Sequence, residues 1–98
     1  MSATQQLTIT LESEVPLREL VESALQSQSH VLEAGLRRTR QRVADFERQY
    51  GMSSVEFERR LAAREIGETL DFVDWQGERA LLSRLEENSR ALQWLKLG

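Results

Sequence analysis

The chain contains no cysteine, which excludes disulfides and thiolate metal sites and fits a reducing compartment. It has a single histidine, His30. A zinc site needs about four ligands, most of them His or Cys, so no metal is expected and His30 reads as a surface or loop residue. Proline occurs once, at Pro16. No apolar run approaches the length that spans a bilayer, so no membrane partner is expected. Ser2 to Gln6 is polar and uncharged and no apolar h-region follows, so the expected location is the cytoplasm. Nor does the sequence offer a convergent set of nucleophile, base and oxyanion donors. The expectation is a non-enzymatic protein with no catalytic residues and no cofactor.

What is present is length for one thin core and a dense charge pattern. Ninety-eight residues make one domain, which a partner or a second copy would help to stabilise. Charged residues make up 30% of the chain and the net charge is -3, so bulk charge does not demand nucleic acid. Locally the balance differs. Leu36 to Ala44 holds Arg37, Arg38, Arg40 and Arg42 and no acid, whereas Glu65 to Glu87 holds seven acids against Arg79 and Arg84. The two segments either face each other within the chain or address different partners.

Leu7-Thr8-Ile9-Thr10-Leu11 alternates apolar and polar residues and is the one good strand candidate. A lone strand leaves its backbone unpaired, so it has to pair with its copy or add to a partner's sheet. Pro16 suits the first position of a helix, and Leu17, Leu20, Val21, Ala24 and Leu25 give that helix an apolar stripe. The polar stretch Gln26 to His30 is where it could break. Beyond, Leu25, Leu32, Thr39 and Phe46 recur every seven residues, and Leu36, Val43 and Tyr50 form a second series offset by four. Together they make an a/d seam.

A helix stop and start follow at Tyr50 to Phe57. Gly51 can adopt the left-handed conformation, Ser53 can cap, Glu56 completes a capping box, and Met52 with Phe57 occupies the staple positions. Ile66-Gly67 looks like another stop. Asp71 is the expected cap of the last helix, with Asp74 at N3 and Leu70 and Trp75 as staple. Leu81, Leu85, Asn88, Leu92 and Leu95 give that helix a second seam, and Gly77 suggests close packing against another backbone. The expected organisation is one domain, 1–98: a strand arm 1–15, a long helix 16–50 with a possible break at 26–30, a short helix 53–66 and a last helix 71–96. The fold class is mainly α, a short N-terminal β-strand followed by three to four helices in a coiled-coil-like hairpin, as a homodimer.

Candidate contact residues follow from the same pattern. Asp71, Asp74 and Glu78 lie one turn apart, either as acids that complement the helix dipole or as a face that imitates a phosphate backbone for a basic partner. Leu7, Ile9 and Leu11 would line a strand interface. Trp94 lies one residue off the last seam, at a flanking or interface position. The arginines either form a solvated flank pairing with Asp45, Glu47 or the acidic segment, or contact phosphates, with Arg37 and Arg38 foremost. A strand before helices also invites comparison with ribbon-helix-helix repressors, in which Thr8 and Thr10 would point toward DNA bases.

Glu33-Ala34-Gly35-Leu36, Phe46-Glu47, Tyr50-Gly51-Met52-Ser53, Glu65-Ile66-Gly67 and Asp71-Phe72-Val73-Asp74-Trp75 together resemble a group of small prokaryotic helical proteins commonly encoded beside a second small protein in apparent toxin–antitoxin pairs. The resemblance covers roughly residues 31 to 87. It implies an antitoxin, a protein that neutralises a toxin-like protein partner by binding it, and it implies no catalytic residue. Many members look like a helical module without the strand, so the strand is a departure. Two other expectations stand beside this one: a dimeric DNA-binding repressor, and a purely structural oligomerisation module.

Overall fold

The computed structural model describes residues 16–97, and within them the regular elements are three helices: α1 (Leu17–Tyr50), α2 (Ser54–Ala62) and α3 (Leu70–Leu97). The chain is mainly α. The strand expected at Leu7 to Leu11, with the candidate contacts Leu7, Thr8, Ile9, Thr10 and Leu11, lies outside the described residues.

α1 runs without interruption through Gln26 to His30. That stretch contains neither Gly nor Pro, so each residue costs only tenths of a kcal/mol, which is less than ending a helix and nucleating a new one. The two-helix turn that a ribbon-helix-helix arrangement would need there is therefore absent. Pro16 stands just before the helix, and its carbonyl accepts the Leu20 N–H at 3.2 Å.

At the other end the chain reverses as the sequence suggests. Gly51 is left-handed (φ 64°), and both its N–H and that of Met52 donate to the Glu47 carbonyl. Ser53 Oγ accepts the Glu56 N–H at 3.1 Å. The capping box is only half made, because the Glu56 carboxylate turns to Arg59 and Arg60 instead of back to Ser53. Met52 and Phe57 pack into one cluster, as a staple requires.

Two boundaries differ from the expectation. α2 ends at Ala62 rather than at Ile66, closed by Arg64, which is itself left-handed (φ 59°). The Arg64 N–H donates to the Leu61 carbonyl and the Glu65 N–H to the Arg60 carbonyl, the paired bonds of a Schellman ending. α3 is capped by Thr69, whose Oγ1 accepts the Phe72 N–H at 3.1 Å, and not by Asp71. The Asp71 carboxylate accepts from Tyr50 Oη and Gln49 Nε2 of α1 instead. Leu70 is 87% exposed while Trp75 is fully buried, so the expected second staple does not form.

α1 and α3 pack antiparallel into a hairpin, with α2 at its closed end. The α1 seam is as its spacing indicates: Leu32, Leu36, Thr39, Val43 and Phe46 are buried, and Leu25 and Tyr50 half-buried. The α3 seam is rotated from the expected one. Trp75, Leu82 and Leu92 are buried and Leu85 and Ser89 half-buried, whereas Leu81, Asn88 and Leu95 face outward. Trp75, the largest buried side chain, sets this rotation, since residues three and four apart from it fall on its side of the helix. Close approach of the helices occurs at Gly35, where an added Cβ would lie 3.4 Å from Leu85 Cδ1. Gly77, expected to serve that purpose, has open space around it.

The closed end holds five of the six aromatic residues. Trp75 stacks on Phe57 (3.9 Å between centroids, 3° between planes) and on Phe46 (5.6 Å, 9°), with Tyr50 and Phe72 beside them. Its indole Nε1–H donates to Ser54 Oγ at 2.9 Å. Ser54 in turn donates its Oγ–H and its backbone N–H to Glu47 Oε2, both at 2.8 Å. One carboxylate of α1 thus holds the start of α2 and, through it, the central side chain of α3.

Candidate functional site

The basic and acidic segments meet inside the chain. Arg42 Nε donates to Glu78 Oε2 at 3.0 Å and Arg40 Nη2 to Glu86 at 3.5 Å, linking α1 to α3. Arg79 bonds Glu58 at 3.0 Å, linking α3 to α2. The hydrogen bond from Arg42 to Glu78 raises the Arg42 pKa above its ordinary value, against the opposing effect of partial desolvation. Of the three acids singled out on α3, Asp71 and Glu78 therefore hold α1, and Asp74 alone is exposed. Neither Asp45 nor Glu47 pairs with these arginines. Asp45 accepts from Gln41 and Arg48, and Glu47 accepts from Ser54. Arg37, Arg38 and His30 are exposed.

The apolar side chains left outside the core form a more distinctive arrangement. Leu70, Val73 and Leu81 recur at helical spacing on α3, on a side turned away from Trp75 and Leu82. Leu70 is 87% exposed, Val73 50% and Leu81 37%. Gly77 lies in the same line, and none of the described residues comes within 4 Å of the position a Cβ would take. A glycine inside an exposed helix costs about 1 kcal/mol relative to alanine. Among the described residues no packing contact offsets it. A helix laid along this side could approach the α3 backbone at Gly77, with Leu70, Val73 and Leu81 as its apolar contacts and the Asp74 carboxylate beside them. Trp94, 76% exposed near the far end of α3, is separate from the aromatic cluster.

Only part of this side was legible beforehand. In the sequence Asp74 and Trp94 read as partner contacts, Gly77 and Leu81 as packing positions within the hairpin, Leu70 as a staple, and Val73 only as part of the Asp71 to Trp75 motif. The available signal was that α3 carries two apolar lines where a two-helix contact needs one.

Comparison with protein-family models, with curated proteins and with solved structures yields no match. Among the described residues no helix is long and apolar enough to cross a membrane.

Proposed function

We propose that this chain is a non-enzymatic, antitoxin-like protein that neutralises a cognate toxin-like protein by helix packing, working as a homodimer in the cytoplasm. The observation that carries the reading is the outward side of α3. There Leu70, Val73 and Leu81 flank an exposed Gly77 against which, among the described residues, nothing packs. Small residues between apolar ones let a second helix approach closely, and a mid-helix glycine that no described residue packs against is explained by such an approach. Asp74 adds a negative charge that would favour a basic partner. The motif resemblance at Phe46 to Ser53 and Asp71 to Trp75 supports the same role, although those residues are also the ones that build the closed end.

A protein partner is preferred over DNA for two reasons. α1 lacks the turn of a ribbon-helix-helix unit, and two of the four clustered arginines, Arg40 and Arg42, are held by Glu86 and Glu78. Exposed Arg37 and Arg38 are the residues through which operator DNA would be contacted.

Co-expression with the product of the adjacent open reading frame tests the reading. A stable complex that relieves growth arrest, and is lost in Leu81→Asp while the helical content of the free variant is kept, is the expected result. No complex and no relief would sink it. Retention of a tight complex by Leu81→Asp would move the contact away from this side of α3.

A further inference from the structure

We propose that two copies of this chain pair antiparallel along the outward side of α3, through the reciprocal contacts of Asp74 with Arg84 and of Gly77 with Leu81. This gives a surface to the homodimer of the reading above. Leu70, Asp74, Gly77, Leu81, Arg84 and Asn88 follow one another at alternating spacings of four and three, the pattern of a helix seam, and all are exposed. The line lies about a third of a turn round the helix from Trp75 and Leu82, which face the core. Its two charged members have opposite signs, and neither forms an ion pair among the described residues. Arg40, Arg42 and Arg79, by contrast, each hold a carboxylate of the same chain. Asp74 and Arg84 are about 15 Å apart along the helix axis, too far to pair within one copy.

A second copy is the occupant because the order of these residues is its own complement. A two-fold axis level with Arg79 sets Asp74 against Arg84, Gly77 against Leu81 and Leu70 against Asn88, each contact occurring twice. The Leu81 side chain then enters the open space where Gly77 lacks a Cβ, and the two backbones approach closely there. Ala80, small and exposed, lies beside the axis and permits that approach. A parallel pair would set Asp74 against Asp74 and Arg84 against Arg84, and a slip of one heptad would break both ion pairs. Charge therefore selects the antiparallel arrangement and its register. The contact runs from Leu70 to Asn88, about 27 Å, and is one helix wide, so the dimer is reversible and gives way to monomer on dilution. On the reading above, a toxin-like helix meets the same side of α3, so the homodimer is the resting form and the partner replaces the second copy. The pairing itself does not depend on that reading.

Sedimentation equilibrium of the full chain over a concentration series, with Asp74→Arg and Arg84→Asp, tests this. The expected wild-type result is a reversible dimer. In either variant alone both ion pairs become like-charged, and Kd should rise about tenfold. An equimolar mixture of the two variants should associate about as tightly as the wild type, because each contact in the mixed pair again joins opposite charges. Mixing would not mend a fold that either substitution had damaged, and circular dichroism of each variant reports whether the helices persist. Val55→Asp, on exposed α2 at the closed end, should leave Kd unchanged. A wild-type monomer at every concentration, with this side of α3 left to residues 1–15 or to another protein, overturns the proposal. So does a mixture that associates no better than its components. Failure of the co-expression experiment would leave the pairing standing, and loss of the pairing would leave the complex with the toxin-like partner to be judged by co-expression.

Discussion

Ser54 joins all three helices through two atoms. Its hydroxyl accepts from Trp75 Nε1–H and donates to Glu47, and its amide donates to the same carboxylate. In Ser54→Ala the indole N–H stays buried without an acceptor and Glu47 loses one donor, so a destabilisation of about 2–3 kcal/mol is expected. Urea unfolding should show it as a lower midpoint. Ser53→Ala, which removes only the cap to Glu56, is expected to cost about 1 kcal/mol. The sequence draws attention to the neighbour with the smaller effect, because a capping pattern is local and the Trp75 contact, 21 residues away, is not. Arg64 is the opposite case. A non-glycine residue at φ 59° is strained, and it is exposed, so Arg64→Gly should raise the melting temperature through a gain of about 0.5–1 kcal/mol. A fall on that substitution would mean that the Arg64 side chain makes a stabilising contact.

At the scale of elements, α1 was legible and α3 was only half so. The seven-residue series on α1 is its only sustained apolar line, and those residues are the buried ones. α3 carries two such lines, and spacing alone cannot rank them. The rotation was decided by where Trp75 fits, between Phe57 of α2 and Phe46 of α1. The losing line became the outward side with Gly77, which yields a double prediction. Gly77→Ala should stabilise the free chain by about 0.5–1 kcal/mol, since the added methyl meets nothing and the helix gains propensity. The same substitution should weaken the complex with the toxin-like partner. Calorimetric melting of the free protein and titration of the complex separate the two effects. Equal affinity for both variants would remove Gly77 from the contact.

The whole molecule is stapled by charge pairs whose protonation sets a stability window. Hydrogen bonds from Arg59 and then Arg60 lower the Glu56 pKa to about 2, and Arg59 lowers that of Glu65. A carboxylate depressed on folding adds stability above its unfolded value, and the gain is lost as pH falls through the ordinary carboxylate range toward the folded value. The Tyr50 phenol is shifted the other way, raised above 10 chiefly by its hydrogen bond to Asp71. Its contribution is complete below pH 10 and is lost as pH rises beyond that value. Thermal unfolding across pH should thus show a plateau from about pH 5 to 10 with a fall on each side. The acid limb should be shallow, because these pairs are solvent-exposed and screened. Arg59→Gln should flatten it further. An acid limb unchanged in that variant would show that other carboxylates control it.

By itself the sequence determined the helical class, the α1 seam and the reversal at Gly51, because each rests on backbone rules that act within a few residues. Tertiary structure decided what those rules leave degenerate. It chose which α3 line turns inward, drew Asp71 from a cap to Tyr50, and closed α2 at Arg64. Which α3 line turns inward depends on how Trp75 fits between Phe57 and Phe46, a long-range contact that local periodicity does not encode.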